Sequence, residues 1–409
     1  MNGCYTKLLS NLAVVLSFYL LLFFIFYFSV ALHNPGLLSE RSFLNWDSQH
    51  YFSIVQNGYQ PYSTAFFPLF PLSWKLLGFS PIAISIVNGL VFIFSFSILA
   101  TAMSFTRKEL LLCSSVPCLM FMFLPYTEAF FFACTTLLLA GYYRNNLILV
   151  ALGFFLCGLC RPVSYFFLPA MIITEIFLQS DRRIFYKRVI IFSSCIAVSL
   201  FVTLYIQYVY TGEWFDFFKS QEKWDNHFRI PSFPLTSWAG GKIVSLDASA
   251  LLAGMLAALA SLFLLRNKIV MKRKESISPS VLFSLIYLAE VAVFVLFFRG
   301  GSLFSLNRFV YATAFFSVAL VWFLRSVQFS MKWWSIFLVA SNVFWLLFAS
   351  YVHIQVVLYF FALSVFLSLF YLSAIKGRIG TLFLAILLLL SASLQVYFFY
   401  RFLSYEWVA

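Results

Sequence analysis

The run NLAVVLSFYLLLFFIFYFSVAL, residues 11–32, decides the fold class. It carries no charged residue and has the length, ~17–25 apolar residues, that a helix needs to cross a bilayer. A secretory signal has an apolar region of only ~7–15 residues and a small-residue cleavage site. This run is longer, follows the lone Lys7, and leads straight into a polar-aromatic loop, so it reads as an uncleaved signal anchor. Similar runs recur along the chain. The whole sequence is 63% hydrophobic and 10% charged, with a mean hydropathy of +0.94, whereas soluble globular proteins carry about 25% charged residues.

Charged and turn residues divide the rest into apolar segments at about 81–105, 110–124, 127–142, 147–160, 163–179, 189–211, 248–265, 279–298, 309–324, 333–350, 352–374 and 380–400. Together these predict an all-α, polytopic transmembrane bundle of about 11–13 helices, one domain over residues 1–409. The segments between 110 and 179 are short enough to tilt or re-enter the membrane. Two long loops interrupt the pattern, at 33–80 and 212–247. In the first, Gln49–Tyr59 and Phe67–Leu77 mix aromatic and polar residues as interfacial amphipathic helices do, with Pro61, Pro68 and Pro71 breaking and turning them.

The net charge of +13 comes from loops. With the N-terminus in the cytoplasm, the basic groups at 107–108, 144, 182–188, 266–274, 325–332 and 376–378 all fall inside, as the positive-inside rule requires. Asp47, Glu128, Glu213, Asp216, Glu222, Asp225 and Asp247 then fall outside. No aromatic-basic alternation suggests nucleic acid. The seven cysteines lie mostly in or beside apolar runs; Cys157-Gly-Leu-Cys160 has redox spacing but no second pair, so packing is its expected role. His33, His227 and His353 are scattered, which argues against a zinc site. The absence of a glycine-rich phosphate loop and of Asp-x-Asp argues against a metal-using nucleotide-sugar enzyme.

The first outside loop carries the densest chemistry: Phe43-Leu-Asn-Trp-Asp47-Ser-Gln-His50-Tyr-Phe52, then Gly58-Tyr59, then Ala65-Phe-Phe-Pro-Leu-Phe-Pro-Leu72. Asp47 is either a helix cap or a general base held at the outer membrane face. His50 lies three residues on, on the same face of a helix, placed to bond a substrate or to pack. Glu128 and Arg161 sit in tight turns at the outside ends of segments, where a charge is either functional or paired as structural glue. Arg308 is a third such charge, and a guanidinium fork suits phosphate, so Arg161 or Arg308 is a candidate grip for a lipid phosphate. Glu290 is read as the acid well within a segment. In the second loop Gln221 and Trp224 suit sugar binding by hydrogen bonding and ring stacking, or else belong to an interfacial aromatic belt.

Taken together, Trp46-Asp47-Ser-Gln-His50-Tyr-Phe52, Gly58-Tyr59, Ala65–Leu72 and Tyr126-Thr-Glu128-Ala-Phe130 resemble the GPI mannosyltransferase 2 family (phosphatidylinositol glycan class V). The likeness keeps its order over about the first 170 residues; beyond them only the Gln221/Trp224 region and Asn307-Arg308 look similar. Arg161 matches an arginine of the family, but the Pro-Val-Ser that follows it departs from the family's Asn-Gly turn. The resemblance implies a GT-C type integral membrane glycosyltransferase, in the endoplasmic reticulum or a bacterial inner membrane, acting on the lumenal or periplasmic side. Its implied donor is polyprenyl- or dolichyl-phosphate mannose and its implied acceptor a glycolipid, a GPI precursor or bacterial equivalent. It implies inversion at the sugar carbon and Asp47 as catalytic base, with neither metal nor other cofactor; Trp46, His50, Glu128, Arg161, Gln221, Trp224 and Arg308 are the candidate substrate contacts beside it. Any partner subunit is left open. Competing readings are transfer of another lipid-linked sugar and a lipid-linked-sugar flippase; a transporter predicts inverted repeats, and none is visible in the sequence.

Overall fold

Among the described residues the apolar runs become helical because a bilayer offers backbone N–H and C=O groups no other partner. The computed structural model describes residues 2–178, 181–237, 241–269, 278–326, 330–348, 354–375 and 377–408; the expected basic residues Lys272, Arg273 and Lys274, and His353, lie outside them. The first run is α1 (Asn2–His33), followed by the loop helices α2 (Asp47–Asn57) and α3 (Leu69–Leu77) close to their expected places. Then come α4 (Pro81–Ala102), α5 (Arg107–Ser114), α6 (Glu128–Tyr143), α7 (Leu147–Cys160), α8 (Phe167–Leu178) and α9 (Arg182–Thr211). The second loop holds α10 (Asp216–Lys223). After it run α11 (Gly241–Ile269), α12 (Pro279–Phe298), α13 (Leu306–Tyr311), α14 (Ala314–Ser326), α15 (Met331–Phe344), α16 (Ile354–Ala374) and α17 (Arg378–Leu403). The one β feature among the described residues is an isolated bridge between Thr236 and Ser302.

Six described helices are long and apolar enough to cross a membrane: α1, α4, α9, α11, α12 and α17. A 3₁₀ stretch, Pro117–Phe123, meets α6 at 103°, the geometry of a broken seventh span or of a re-entrant loop. Other expected segments are shorter helices, among them α7, α8 and α14. Local signals set the boundaries. Ser80 caps α4 ahead of Pro81, Thr106 and Glu109 form a capping box on α5, and Asn146 caps α7. Small residues let the helices close up. A Cβ on Gly153 would lie 2.7 Å from Leu138 of α6, and one on Gly254 2.2 Å from Ala292 of α12.

Polar contacts among helix ends and turns fall into two sets. At one end Lys108 donates to the Ile375 carbonyl, Arg325 pairs with Glu109 at 2.7 Å, and Arg188 pairs with Glu175 at 2.8 Å. At the other end meet the Asp47 loop, the break before α6, the α7–α8 turn and the α12–α13 turn. Two expectations change. Glu290 is not alone as a buried acid, since Glu175 in α8 is fully buried against Arg188. Asp247 is not a loop acid but lies buried in α11, whose first turn runs back into the second loop.

Candidate functional site

Four charged side chains from four separate elements meet at the second end. Asp47 is the first residue of α2. It caps nothing, and neither does Ser48: the residue before the helix is Trp46, and no side chain caps it. Glu128 opens α6 immediately after the break, and α4 holds that break open. The Asn88 amide of α4 donates to the carbonyls of Leu124 at 2.6 Å and Tyr126 at 2.9 Å, and the Ser85 hydroxyl donates to that of Phe123. Peptide groups that a continuous helix would satisfy thus find partners. Arg161 ends α7, where Pro162 stops the helix. Arg308 lies in α13, which starts after Ser305 at φ 63°. Asp247 fixes that start by accepting from the Asn307 backbone N–H at 3.1 Å, its amide at 2.8 Å and the Ser237 hydroxyl at 2.6 Å.

Arg308 is the centre of the cluster. Its Nε and Nη2 donate to Glu128 Oε1 at 2.7 and 2.6 Å, and its Nη1 donates to Asp47 Oδ2 at 2.8 Å. Arg161 Nη2 reaches the same Glu128 oxygen at 3.4 Å. Burial works against the Arg308 charge, but the two carboxylates more than offset it and hold its pKa above the ordinary arginine value. Aromatic faces complete the packing: Arg308 lies 4.6 Å from the Tyr126 ring centre and Arg161 4.7 Å from that of Phe309. Exposure separates the two acids. The Glu128 side chain is fully buried, whereas that of Asp47 keeps 20% of its surface. Asp47 is therefore the acid of the cluster with surface open to solvent.

Around this cluster stands a second layer. The His50 ring stacks on Phe66 at 5.0 Å and meets Trp224 edge-on at 5.4 Å. Burial lowers the His50 pKa, with Asp47 pulling the other way, which keeps the ring neutral near pH 7. The second loop is clamped to the first: Thr64 donates to Asp216 at 2.9 Å, shares a 2.6 Å contact with Ser220, and its carbonyl accepts from Gln207 of α9 at 2.8 Å. Gln221 accepts from the Asn226 amide at 2.9 Å, and Asn226 accepts from Arg299 Nε at 3.3 Å. Trp46 points elsewhere, stacked on Tyr405 of the C-terminal tail at 4.8 Å.

The structure thus joins Asp47, Glu128, Arg161 and Arg308 directly, His50 and Trp224 through Phe66, and Gln221 through Asn226 to Arg299. Sequence reading missed Arg299. It donates to the Phe304 carbonyl and stacks over the Phe304 ring at 3.6 Å, yet among the described residues no carboxylate lies within ion-pair distance of it. Burial lowers its pKa to about 10, so it stays charged at neutral pH. The available signal was a charge closing an apolar run just before Gly300-Gly301, a turn whose φ values of 56° and 95° suit glycine. Among the described residues no three His, Cys, Asp or Glu side chains gather as metal ligands.

No protein-family model and no curated protein matches this chain. Among solved structures it is similar to ArnT from Cupriavidus metallidurans bound to undecaprenyl phosphate, with a TM-score of 0.46 and 12% identity over 96% of this chain and 76% of that one. The protein itself is an all-helical integral membrane protein with a buried, mutually paired charge cluster at one end of its bundle.

Proposed function

We propose that this protein is a GT-C type glycosyltransferase that passes mannose from a polyprenyl- or dolichyl-phosphate mannose donor to a hydroxyl of a glycolipid acceptor, on the face opposite its basic loops. One observation carries the reading: Asp47 is fixed through one carboxylate oxygen by Arg308 and keeps part of its surface open. A base must be both aimed and reachable. The acceptor hydroxyl gives its proton to Asp47 as its oxygen attacks the sugar carbon. The bond from that carbon to the phosphate oxygen breaks, the electron pair leaves with the lipid phosphate, and a single displacement inverts the carbon. Arg299, with no carboxylate within ion-pair distance among the described residues, faces the charge that develops on the phosphate in this reading. Gln221 and Trp224, tied to Arg299 and His50, supply a polar group and a ring face for the sugar. The side assignment rests on the basic loops lying at the far end, where no nucleotide sugar from the cytoplasm reaches Asp47; this favours a sugar already carried on lipid.

The test is transfer by membranes containing the protein, given labelled polyprenyl-phosphate mannose and a lipid extract. Wild type is expected to label a lipid product and Asp47→Asn to lose at least 100-fold, as removal of a general base does. Equal labelling by the two proteins overturns the assignment of Asp47. Transfer from another lipid-linked sugar but not from mannose replaces the donor and keeps the chemistry.

A further inference from the structure

We propose that the C-terminal tail, residues 402–408, is a working part of this site: it positions Asp47 by caging Trp46. The proposal rests on the reading of Asp47 as base.

Trp46 holds φ 54° and ψ −126°. That conformation is foreign to a bulky L-residue and persists only where its surroundings over-determine it. Here the surroundings come from the far end of the chain. The Trp46 ring lies flat on Tyr405, with 4.8 Å between centres and 15° between planes, and meets Trp407 edge-on at 5.0 Å. Next to it, the Asn45 amide donates to the Phe402 carbonyl at 2.7 Å and to that of Leu403 at 3.3 Å. These belong to the last turn of α17, whose carbonyls find partners beyond the helix; that of Phe402 also accepts the Tyr405 N–H at 3.1 Å. The tail is itself fastened. Glu406 donates its N–H to the Arg401 carbonyl at 2.9 Å and pairs with the Arg401 side chain at 2.7 Å, and Val408 is buried.

The consequence reaches Asp47 by a short path. Trp46 is its chain neighbour, and the Trp46 carbonyl accepts the N–H of Gln49 in the first turn of α2. If Trp46 relaxes to an ordinary conformation, that turn rotates and the carboxylate leaves Arg308. The same helix end braces the other side, since Phe402 packs edge-on against Tyr126, over which Arg308 lies. One short segment therefore sets both the base and the guanidinium that aims it. Tyr405 and Trp407 touch no reacting group in this scheme and are positioning residues.

The experiment uses the full-length protein in membranes and in detergent. Tyr405→Ala/Trp407→Ala is expected to lower kcat for transfer from labelled polyprenyl-phosphate mannose roughly 10- to 100-fold, the loss a misplaced group gives, with donor KM within about twofold of wild type. Tyr405→Phe, which keeps the ring, is expected to restore the rate. Backbone hydrogen exchange at residues 45–49 should rise in the double variant while exchange in the spans stays as in wild type. In a Trp46→Gly background, where glycine adopts the same backbone conformation freely and no ring remains to be caged, adding the tail substitutions should cost less than threefold. An unchanged kcat, an equal penalty in both backgrounds, or unchanged exchange at residues 45–49 overturns the proposal. If wild type transfers no lipid-linked sugar, the transferase reading falls, and the exchange measurement still decides whether the tail holds Asp47.

Discussion

Replacing Arg308 with glutamine tests the centre of the site. Arg308 makes three charge-assisted contacts, two to Glu128 at 2.6 and 2.7 Å and one to Asp47 at 2.8 Å, with 4% of its side chain exposed. Two unit charges 4 Å apart attract by about 4 kcal/mol at an effective dielectric constant near 20, and removing one partner from a buried pair costs about 3–5 kcal/mol because the other charge is left behind. Arg161, at 3.4 Å from Glu128, offsets part of this, so Arg308→Gln is expected to lose about 3 kcal/mol of apparent stability. Arg308→Lys keeps the charge but not the fork, can serve one carboxylate at a time, and should fall between glutamine and wild type. Glu128→Gln/Arg308→Gln removes charge from both sides of the pair and should lose at least about 1 kcal/mol less than the sum of the single variants, the mark of contacting groups. The assay is thermal unfolding of the purified protein in one detergent at one lipid concentration. A loss below about 1 kcal/mol for Arg308→Gln, or strict additivity in the double variant, would refute the claim that this guanidinium holds the two acids together.

Other outcomes follow from the second layer. Because burial lowers the His50 pKa below its ordinary 6.5, the unfolded chain binds the proton first as pH falls. The contribution of the neutral ring to stability is therefore complete above pH 6.5 and is lost below it; His50→Phe, which keeps the stack on Phe66, should flatten the fall in melting temperature in that range. Thr64→Val leaves Asp216 and Ser220 buried without their shared hydroxyl, and is expected to cost about 1–3 kcal/mol and to raise donor KM by loosening the second loop, as read by melting and steady-state transfer. Gly58 holds φ 75°, and a Cβ there would sit 2.2 Å from the Tyr210 ring; Gly58→Ala should destabilise by about 1–3 kcal/mol, while Tyr210→Ala in the same chain recovers part of the loss. Arg299→Gln should weaken protection of the protein by polyprenyl phosphate in a thermal-shift assay roughly 10- to 100-fold in affinity, the loss of one bond to a charged group, with melting in the absence of lipid close to wild type.

The apolar runs fixed the helices closely because hydropathy over about 20 residues is a one-dimensional signal. Residues 11–32 became the core of α1, and the two amphipathic pieces of the first loop became α2 and α3 within two residues. Glu128, Arg161 and Arg308 were visible as charges where a membrane protein tolerates few. What their partners would be was not visible. Asp47 and Arg308 are 261 residues apart in sequence, and their meeting depends on a 103° break that Asn88 of α4 stabilises. Nothing local to Asn88 announces that its amide will hold two carbonyls of another segment. The same holds for Asp247, whose place among the outside acids gave no hint that it anchors Asn307 from within α11. The Trp46 cage was hidden for the opposite reason: Tyr405 and Trp407 look like ordinary interfacial aromatics until the tail is seen folded back on the first loop.

Partner geometry also divides the labour among the arginines. Sequence alone offers Arg161 and Arg308 as grips for a phosphate, since each is a guanidinium near the membrane edge. In the structure Arg308 directs Nε and both terminal nitrogens to carboxylates, and Arg161 faces Glu128. In the proposed reaction, a guanidinium so committed could accept a departing phosphate only by releasing Asp47, at the moment when Asp47 must stay aimed at the acceptor hydroxyl. The two tasks therefore need two cations. Arg299 meets the second need: it is anchored by Asn226 and the Phe304 carbonyl rather than by an acid, and it shares the Phe309 ring with Arg161, at 6.0 and 4.7 Å from its centre. Its link through Asn226 to Gln221 also ties Arg299 to the loop that carries Trp224, so in the proposed reaction one connected segment would hold the sugar and its departing phosphate while another holds the base.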